Sequence, residues 1–391
     1  MHLEWLNPEE TEKLKAWDEF LLNSPRGHYS ILSTWLRSYR AYGFDFSVLV
    51  AKRNQSGPII GGTGLFHFGN RIFRVMNAPV SPIVDVGCED AVGPILQAAI
   101  LYARSMGTSI LQLLFPCSTE ADMPALLPLS NLPRLASSRA GIAFDIGNAA
   151  HQMLWVGFPQ GVSDEEWREQ VMRKFTRSTR RNVRLGEKHP DLEAFEARTE
   201  AELKDVYSLM EVEAQHRGAA FRSWKDFGEI LIEQVKSNQA LVIGARYKGR
   251  TLAVRYGLLA GRRYSYIAGA RVPVKVGNDT KVGHFLTWAV MKRVRELGLL
   301  GYDFTSVGDQ GVMDFKNGFC PEHIHLIEPQ YFVFSDFRYR AFKAFYSRLR
   351  KHKQFMSKVM RSTQGALGRF TRHSAKASLE YSKAGDLNGR T

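Results

Sequence analysis

A chain of 391 residues with 44% hydrophobic and 24% charged side chains is too long for one ordinary core and too apolar for a disordered polymer, so two folded domains are expected. Its three cysteines, Cys88, Cys117 and Cys320, are odd in number and widely spaced, which excludes a disulfide framework and a thiolate zinc site and predicts a reducing compartment. The formal charge is +14, yet residues 337–376 carry twelve Lys or Arg and no acid, so the basicity belongs mainly to a tail.

The N-terminal stretch MHLEWLNPEETEKLKAW is acidic and amphipathic where an export signal needs a basic start and an apolar run, and a cytoplasmic protein is expected. No run approaches the roughly 18 to 20 apolar residues of a spanning helix, the nearest lying around Ile95 to Tyr102.

In chain order, Phe46–Ala51 and Ile59–Phe68 read as strands across the turn NQSGP, and Arg71–Met76 follows as a third. Ala91–Met106 has helical spacing, stops at Gly107 and leads into the apolar run Ile110–Phe115. The segment from Ser163 to His189 reads as one helix bridging two halves, with Arg173, Arg177, Arg180 and Arg184 along one face and Met172, Phe175 and Thr179 on another. Arg suits bidentate phosphate recognition, so this face predicts a phosphorylated ligand; a solvated face with scattered ion pairs is the alternative.

The second half repeats the plan of the first. Ala240–Tyr247, Thr251–Leu259 and Tyr264–Ala268 are strands joined by KGR and GRR turns, a helix over Gly283–Leu297 stops at Gly298, and Gly301–Thr305 is a strand. The passages SMGTSILQLLF and ELGLLGYDFTS superpose at an offset of 191 residues. A duplicated strand-strand-strand-helix-strand unit predicts two similar α/β (α+β) domains. We expect domains at 1–160 and 161–335, followed by a basic amphipathic helix and tail at 336–391.

Three local sequences in this order resemble the FemAB and CelD-like branch of the GNAT superfamily over residues 15–335. They are KFTRSTRRNVRLGEK (174–188), Tyr302-Asp303-Phe304, and Phe315-Lys316-x-x-Phe319, which is similar to the family's FKxxFG element. The resemblance implies tandem GNAT-like domains, each a mixed, mostly antiparallel sheet flanked by helices, with acyl or aminoacyl transfer to an amine. Phe315 and Lys316 are then the first catalytic candidates. An ammonium held beside the acyl carbonyl stabilises the tetrahedral oxyanion, an effect typically worth about 3 kcal/mol. Asp303 would orient Lys316 or accept a proton, and Tyr302 would line the acceptor site. By the same resemblance Arg173, Arg177, Arg180, Arg181 and Arg184 contact substrate.

Glu213 and His216, sharing a helical face with Glu211 nearby, are reserve bases; no third ligand joins them, so no metal is expected. Lys281-Val282-Gly283-His284 stands where ordinary GNAT enzymes carry a glycine-rich pyrophosphate loop, a poor match that leaves acyl-CoA (acetyl-CoA) and aminoacyl-tRNA both open as donors. In the first half Gln112 replaces Asp303 and no lysine motif follows, so that half is assigned to acceptor binding, with Trp35, Arg37 and Tyr39 as contributors by resemblance to the family's early Trp-and-basic segment.

In the tail, Phe342, Phe345, Tyr346, Leu349, Met356, Val359 and Met360 recur at helical spacing among cations. Such a segment docks on its own domain, lies on an anionic membrane at the inner face, or follows RNA. The leading function is N-acyl transfer to a cell-envelope precursor, amino sugar or small molecule. Acetyl-CoA-dependent modification in exopolysaccharide or natural-product biosynthesis is the second reading, and a noncatalytic nucleic-acid or membrane adaptor the third.

Overall fold

The computed structural model describes residues 1–69, 73–133, 139–140, 152–217, 221–272, 281–305 and 308–349. The first half runs β1 (His2–Leu6), α1 (Thr11–Asn23), α2 (Ser33–Ser38), β2 (Asp45–Lys52), β3 (Ile59–Gly69), β4 (Arg74–Ala78), β5 (Ile83–Val84), α3 (Val92–Ser105), β6 (Ile110–Leu113) and β7 (Arg139–Ala140). Next come β8 (Gln152–Gly157), α4 (Asp164–Lys174), α5 (Arg177–Glu187), β9 (Leu192–Glu196), α6 (Glu200–His216) and α7 (Trp224–Lys236). The chain continues through β10 (Ala240–Tyr247), β11 (Arg250–Ala260), β12 (Arg263–Arg271), α8 (Val282–Glu296), β13 (Gly301–Asp303), α9 (Gln310–Asn317), β14 (Glu322–His325), β15 (Gln330–Val333) and α10 (Asp336–Leu349).

Two mixed sheets result. One has the order β1-β2-β3-β4-β6-β15-β7, with β5 also on β3; the other has β14-β8-β13-β12-β11-β10-β9. The duplication is present in both. β3 and β11 are each 11 residues long and start 191 residues apart, as do β6 and β13. Gly107 and Gly298 follow the two helices at φ of 65° and 69°, the left-handed conformation that ends a helix at least cost in glycine. In each unit three antiparallel strands are followed by a helix and then a strand parallel to the third.

Two strands trade sides: β8 precedes the second unit and pairs with β13, whereas β15 follows it and returns to pair with β6. Each sheet is therefore completed by a strand from outside its own repeat, and the halves cannot separate without breaking ladder hydrogen bonds.

Among the described residues, alternation along the strands builds three large cores and a small fourth cluster of Leu126, Met153 and Ile324. Phe46, Val48 and Val50 of β2 and Ala240 and Val242 of β10 face one shared core, which also holds Trp17, Leu36, Tyr207 and Tyr256. Leu49 and Ala51 face α3, and Leu241 and Ile243 face α8. Burial on both faces explains the near-continuous apolar runs in these strands. Across the shared core, Asp18 accepts from Ser33 N and Oγ (2.6 Å each) and from Gln239 Nε2 (3.1 Å). Thr34 Oγ1 donates to Gln239 Oε1 (2.5 Å), Gln234 Nε2 to Thr34 Oγ1 (3.2 Å), and Tyr256 OH to Gln234 Oε1 (2.8 Å). This chain satisfies polar groups that would each be costly if buried alone.

The single bridging helix is corrected to two. Phe175 and Thr176 take extended ψ of 154° and 155°, and the Thr176 hydroxyl accepts from Thr179 N to cap α5. The break lets Phe175 pack edge-on against Trp288 and Phe319. Arg173 thereby leaves the arginine stripe and pairs with Glu169 at 2.6 Å, while Arg181 joins Arg177, Arg180 and Arg184 at spacings of 0, 3, 4 and 7 from Arg177, one face of α5. Among the described residues no helix is long and apolar enough to cross a membrane. The basic tail beyond residue 349 lies outside the described residues, and α10 is its only described part.

Candidate active site

The second sheet opens at one place. β12 and β13 pair only at Tyr264–Tyr302 and Ser265–Asp303, yet β12 continues to Arg271. Thr305, at φ 53°, turns the chain away after its Oγ1 donates to Tyr266 O (3.2 Å). Among the described residues no further ladder pair joins the two strands beyond Ser265–Asp303, and the place beside Tyr266 where their pairing ends is called the notch below.

Lys316, near the end of α9, reaches into that notch. Its side chain is only 1% exposed, its Nζ donates to Thr305 O at 2.9 Å, and it stands 5.5 Å from the centre of the Tyr266 ring. Burial lowers its pKa to about 8, with the Asp303 charge opposing that fall and the Arg255 cation adding to it. Asp303 is itself buried; its Oδ1 accepts from Thr305 N (2.8 Å) and Leu154 N (3.2 Å). Burial raises its pKa, against the pull of the Thr305 N–H, the fully buried Arg263 and Lys316. Carboxylate and ammonium thus share one desolvated site, each setting the other's charge.

Phe315 is half-buried beside them, with the Arg255 guanidinium 5.7 Å from its ring centre and 5.4 Å from that of Tyr266. His284 meets Phe315 edge-on at 5.0 Å. Lys281 opens α8 in the left-handed conformation (φ 50°), and no side chain caps the first turn of this helix. His284 N turns back to Lys281 O (3.0 Å), while the N–H groups of Val282 and Gly283, with Lys281, Arg255 and Arg271 nearby, form an anion-attracting end. The same surroundings depress His284: burial first, then Lys281, Arg255 and Arg271, bring its pKa to about 4. His284 is therefore a neutral ring at pH 7 and offers hydrogen bonds in place of charge; its Nε2 lies 3.5 Å from Asn182 Nδ2 on α5. A Cβ on Gly283 would meet Phe315 and the Arg255 guanidinium at ordinary contact distances of 3.6 Å or more, so the glycine leaves room there without being sterically demanded.

The sequence candidates fall into two groups. Lys316, Phe315, Asp303, Lys281, Gly283 and His284 come together at the notch, and the α5 stripe borders it through Asn182. Arg177, Arg181 and Arg184 are exposed and Arg180 half-buried, with no acidic partner among the described residues; Arg180 Nη1 donates to Arg173 O (3.1 Å).

The others lie apart. Tyr302 is fully buried between Tyr264 and Phe304, with ring centres 4.8 and 4.5 Å away, and serves the core. Trp35 and Tyr39 are buried in the shared core, where Arg222 lies 5.0 and 5.1 Å from their rings and donates from Nε to Ser38 O; Arg37 pairs with Glu233. This places them at the joint between the halves. Glu213 is held by Arg217 (2.5 Å), which also reaches Asp309, the cap of α9 (3.2 Å). His216 is exposed at the end of α6, and Glu211 accepts from Trp224 N. Among the described residues no cluster suited to a metal ion occurs.

Sequence reasoning missed Arg255, Arg263 and Tyr266. The available signal for Arg255 was a lone cation inside the apolar run LAVRYGLL, where a charge survives only if something uses it.

Comparison with known proteins converges on this region. Residues 173–317 match the acetyltransferase (GNAT) domain model, a span that opens at the end of α4 and closes just after Lys316. The search of curated proteins finds no match. Among solved structures, FemX is similar at 14% identity and a TM-score of 0.68, covering 87% of this chain and 99% of its own. A conserved protein of unknown function from Bacteroides thetaiotaomicron VPI-5482 is similar at 13% identity and a TM-score of 0.52, covering 84% and 98%. At these identities the likeness is one of fold, and it extends over both halves. Residues 173–317 thus carry an acetyltransferase (GNAT) domain, and it lies within a fold similar to that of FemX over both halves.

Proposed function

We propose that the enzyme transfers an acyl or aminoacyl group from a phosphate-bearing donor to the amine of a cell-envelope precursor, and that the second half performs the chemistry. The observation carrying this reading is the placement of Lys316 at the diverging ends of β12 and β13, beside the uncapped, cation-flanked start of α8. The donor's phosphates sit at that helix end and its acyl carbonyl lies in the notch. The acceptor amine, entering without its proton, attacks the carbonyl carbon. The carbonyl oxygen takes up negative charge and is met by the Lys316 ammonium; as the carbonyl re-forms, the donor's sulfur or ribose oxygen leaves and takes up the proton that the attacking nitrogen gives up. Asp303 keeps Lys316 charged and aligned.

The FemAB resemblance favours an envelope precursor as acceptor and an aminoacyl-tRNA as donor; the compact cation cluster of Lys281, Arg255 and Arg271 favours acetyl-CoA and the second reading, acetylation in exopolysaccharide or natural-product synthesis. Either substrate is met on the cytoplasmic side, where the basic composition of residues 337–376 suits an anionic inner-membrane face. The test is binding of purified protein to acetyl-CoA and to charged tRNA at two salt concentrations, followed by transfer assays with Lys316→Ala. Weakly salt-dependent CoA binding establishes the acetyl reading, and steeply salt-dependent retention of one charged tRNA establishes the aminoacyl reading. Full transfer by Lys316→Ala would overturn both.

A further inference from the structure

The arginine stripe and the catalytic lysine belong to different helices, yet the two helices share a single hydrogen-bond acceptor. Gly318 follows α9 directly, and its carbonyl accepts from Thr176 N at 3.0 Å and from Thr176 Oγ1 at 3.1 Å. Thr176 is also the residue that starts α5: its Oγ1 accepts from Thr179 N (3.3 Å) and lies 3.0 Å from Thr179 Oγ1. The hydroxyl has one hydrogen to share among Gly318 O, Thr179 Oγ1 and Ser178 Oγ (3.2 Å), so its orientation is sensitive to small movements of either helix.

Gly318 has no freedom to yield. A Cβ at this position would stand 2.5 Å from the buried Thr179 Oγ1, so only glycine lets α9 end against the first turn of α5. Next to this junction Phe319 packs edge-on against Phe175 at 5.0 Å and against Phe315 at 5.3 Å. The first turn of α5 and the Phe315–Lys316 pair are thereby parts of one packed unit, with Thr176 one residue before the stripe and Gly318 two residues after the lysine.

An anion drawn to Arg177, Arg180, Arg181 and Arg184 would act on α5, and among the described residues the backbone bond between the two helix ends is the one from Thr176 N to Gly318 O. We infer that Thr176 is a positioning residue, seated on Gly318, that couples occupation of the α5 arginine stripe to the placement of Lys316 in the notch. The inference rests on the proposed site and deepens it: a phosphate-bearing ligand would help to set its own catalytic group.

The experiment uses the full chain with ε-carbon-labelled lysine. The Lys316 resonance is titrated by NMR with and without saturating pyrophosphate, whose affinity is measured in parallel by calorimetry. In the parent protein and in Thr176→Ser, pyrophosphate shifts the Lys316 titration by an equilibrium factor of about five or more. In Thr176→Val and in Gly318→Ala pyrophosphate binds as before and the shift disappears. If Thr176→Val keeps the full shift, the coupling is plain long-range electrostatics and the proposal is overturned; a parent protein whose Lys316 ignores bound pyrophosphate overturns it equally. Should Thr176→Val not fold, Thr176→Ala and Thr176→Ser carry the same comparison. Whether Lys316 serves acyl transfer at all is decided separately by the activity of Lys316→Ala, so the two ideas fail independently.

Discussion

The two halves of this molecule share one plan and differ at one joint. In the first half β4 and β6 pair at all four positions from Val75–Ile110 to Ala78–Leu113, and the ladder continues as Leu114 N donates to Ala78 O and Ser81 N to Leu114 O. In the second half the equivalent strands part after two pairs. Lys316 stands where the shorter pairing ends. Side chains follow suit. Gln112, 191 residues before Asp303, is 1% exposed with its amide unpaired, whereas Asp303 has two backbone donors and two cations around it. On the proposed reading, the half whose strand pairing stops early carries the chemistry and the zipped half serves as its scaffold.

The largest effect expected from breaking this asymmetry is chemical. Lys316→Met lowers turnover by about 100-fold or more, the range for loss of one oxyanion donor, read as kcat in an acyl-transfer assay. The same substitution stabilises the protein at pH 7. A lysine whose folded pKa is depressed to about 8 binds protons less well folded than unfolded, so it costs stability below pH 8 and the cost is relieved as pH rises from there towards the unfolded value. The gain in Lys316→Met is on the order of 2 kcal/mol, visible as a higher Tm. A lower Tm at pH 7 would contradict the strained-lysine picture.

A reciprocal pair sharpens the contrast between halves. Asp303→Asn, which keeps an acceptor for the Leu154 and Thr305 N–H groups, lowers activity by about tenfold and moves the alkaline limb of the rate profile below pH 8, because the anion supporting the Lys316 charge is gone. Gln112→Asp buries an uncompensated charge in the zipped half, costing about 3 kcal/mol of stability and leaving the reaction pH profile unmoved. Circular-dichroism melting and the pH–rate profile of both variants check the pair.

The joint between halves has its own titration. Burial raises the pKa of Asp18 to about 7, against hydrogen bonds from Ser33 and Gln239 and helped by the Glu233 charge. A carboxyl with a raised folded pKa costs nothing while protonated and destabilises once ionised, so stability falls as pH rises from about 4 to about 7. Asp18→Asn flattens that slope, as melting at pH 5 and pH 8 will show. The smallest effect belongs to the stripe: Arg181→Ala weakens pyrophosphate binding by about threefold, the share of one exposed cation, with Tm unchanged.

The amino-acid sequence by itself determined the duplicated units, their Gly-terminated helices, the α5 cations and the Phe315–Lys316 pair, because periodicity, turn chemistry and short motifs are written within a few residues of one another. It placed Trp35 and Tyr39 at a binding surface, and only the tertiary structure set them around Arg222, since an aromatic at a buried joint and one in a cleft have the same local pattern. It read one helix across 163–189; the fold broke it at Thr176, where packing of Phe175 on Trp288 and Phe319 outweighs continued helix. Which sheet would open was decided by long-range pairing: β8 and β15 each cross to a sheet outside their repeat, and the divergence of β12 from β13 depends on contacts between residues tens of positions apart. No local window of sequence contains that information, because the free energy of a strand pair resides in both strands at once.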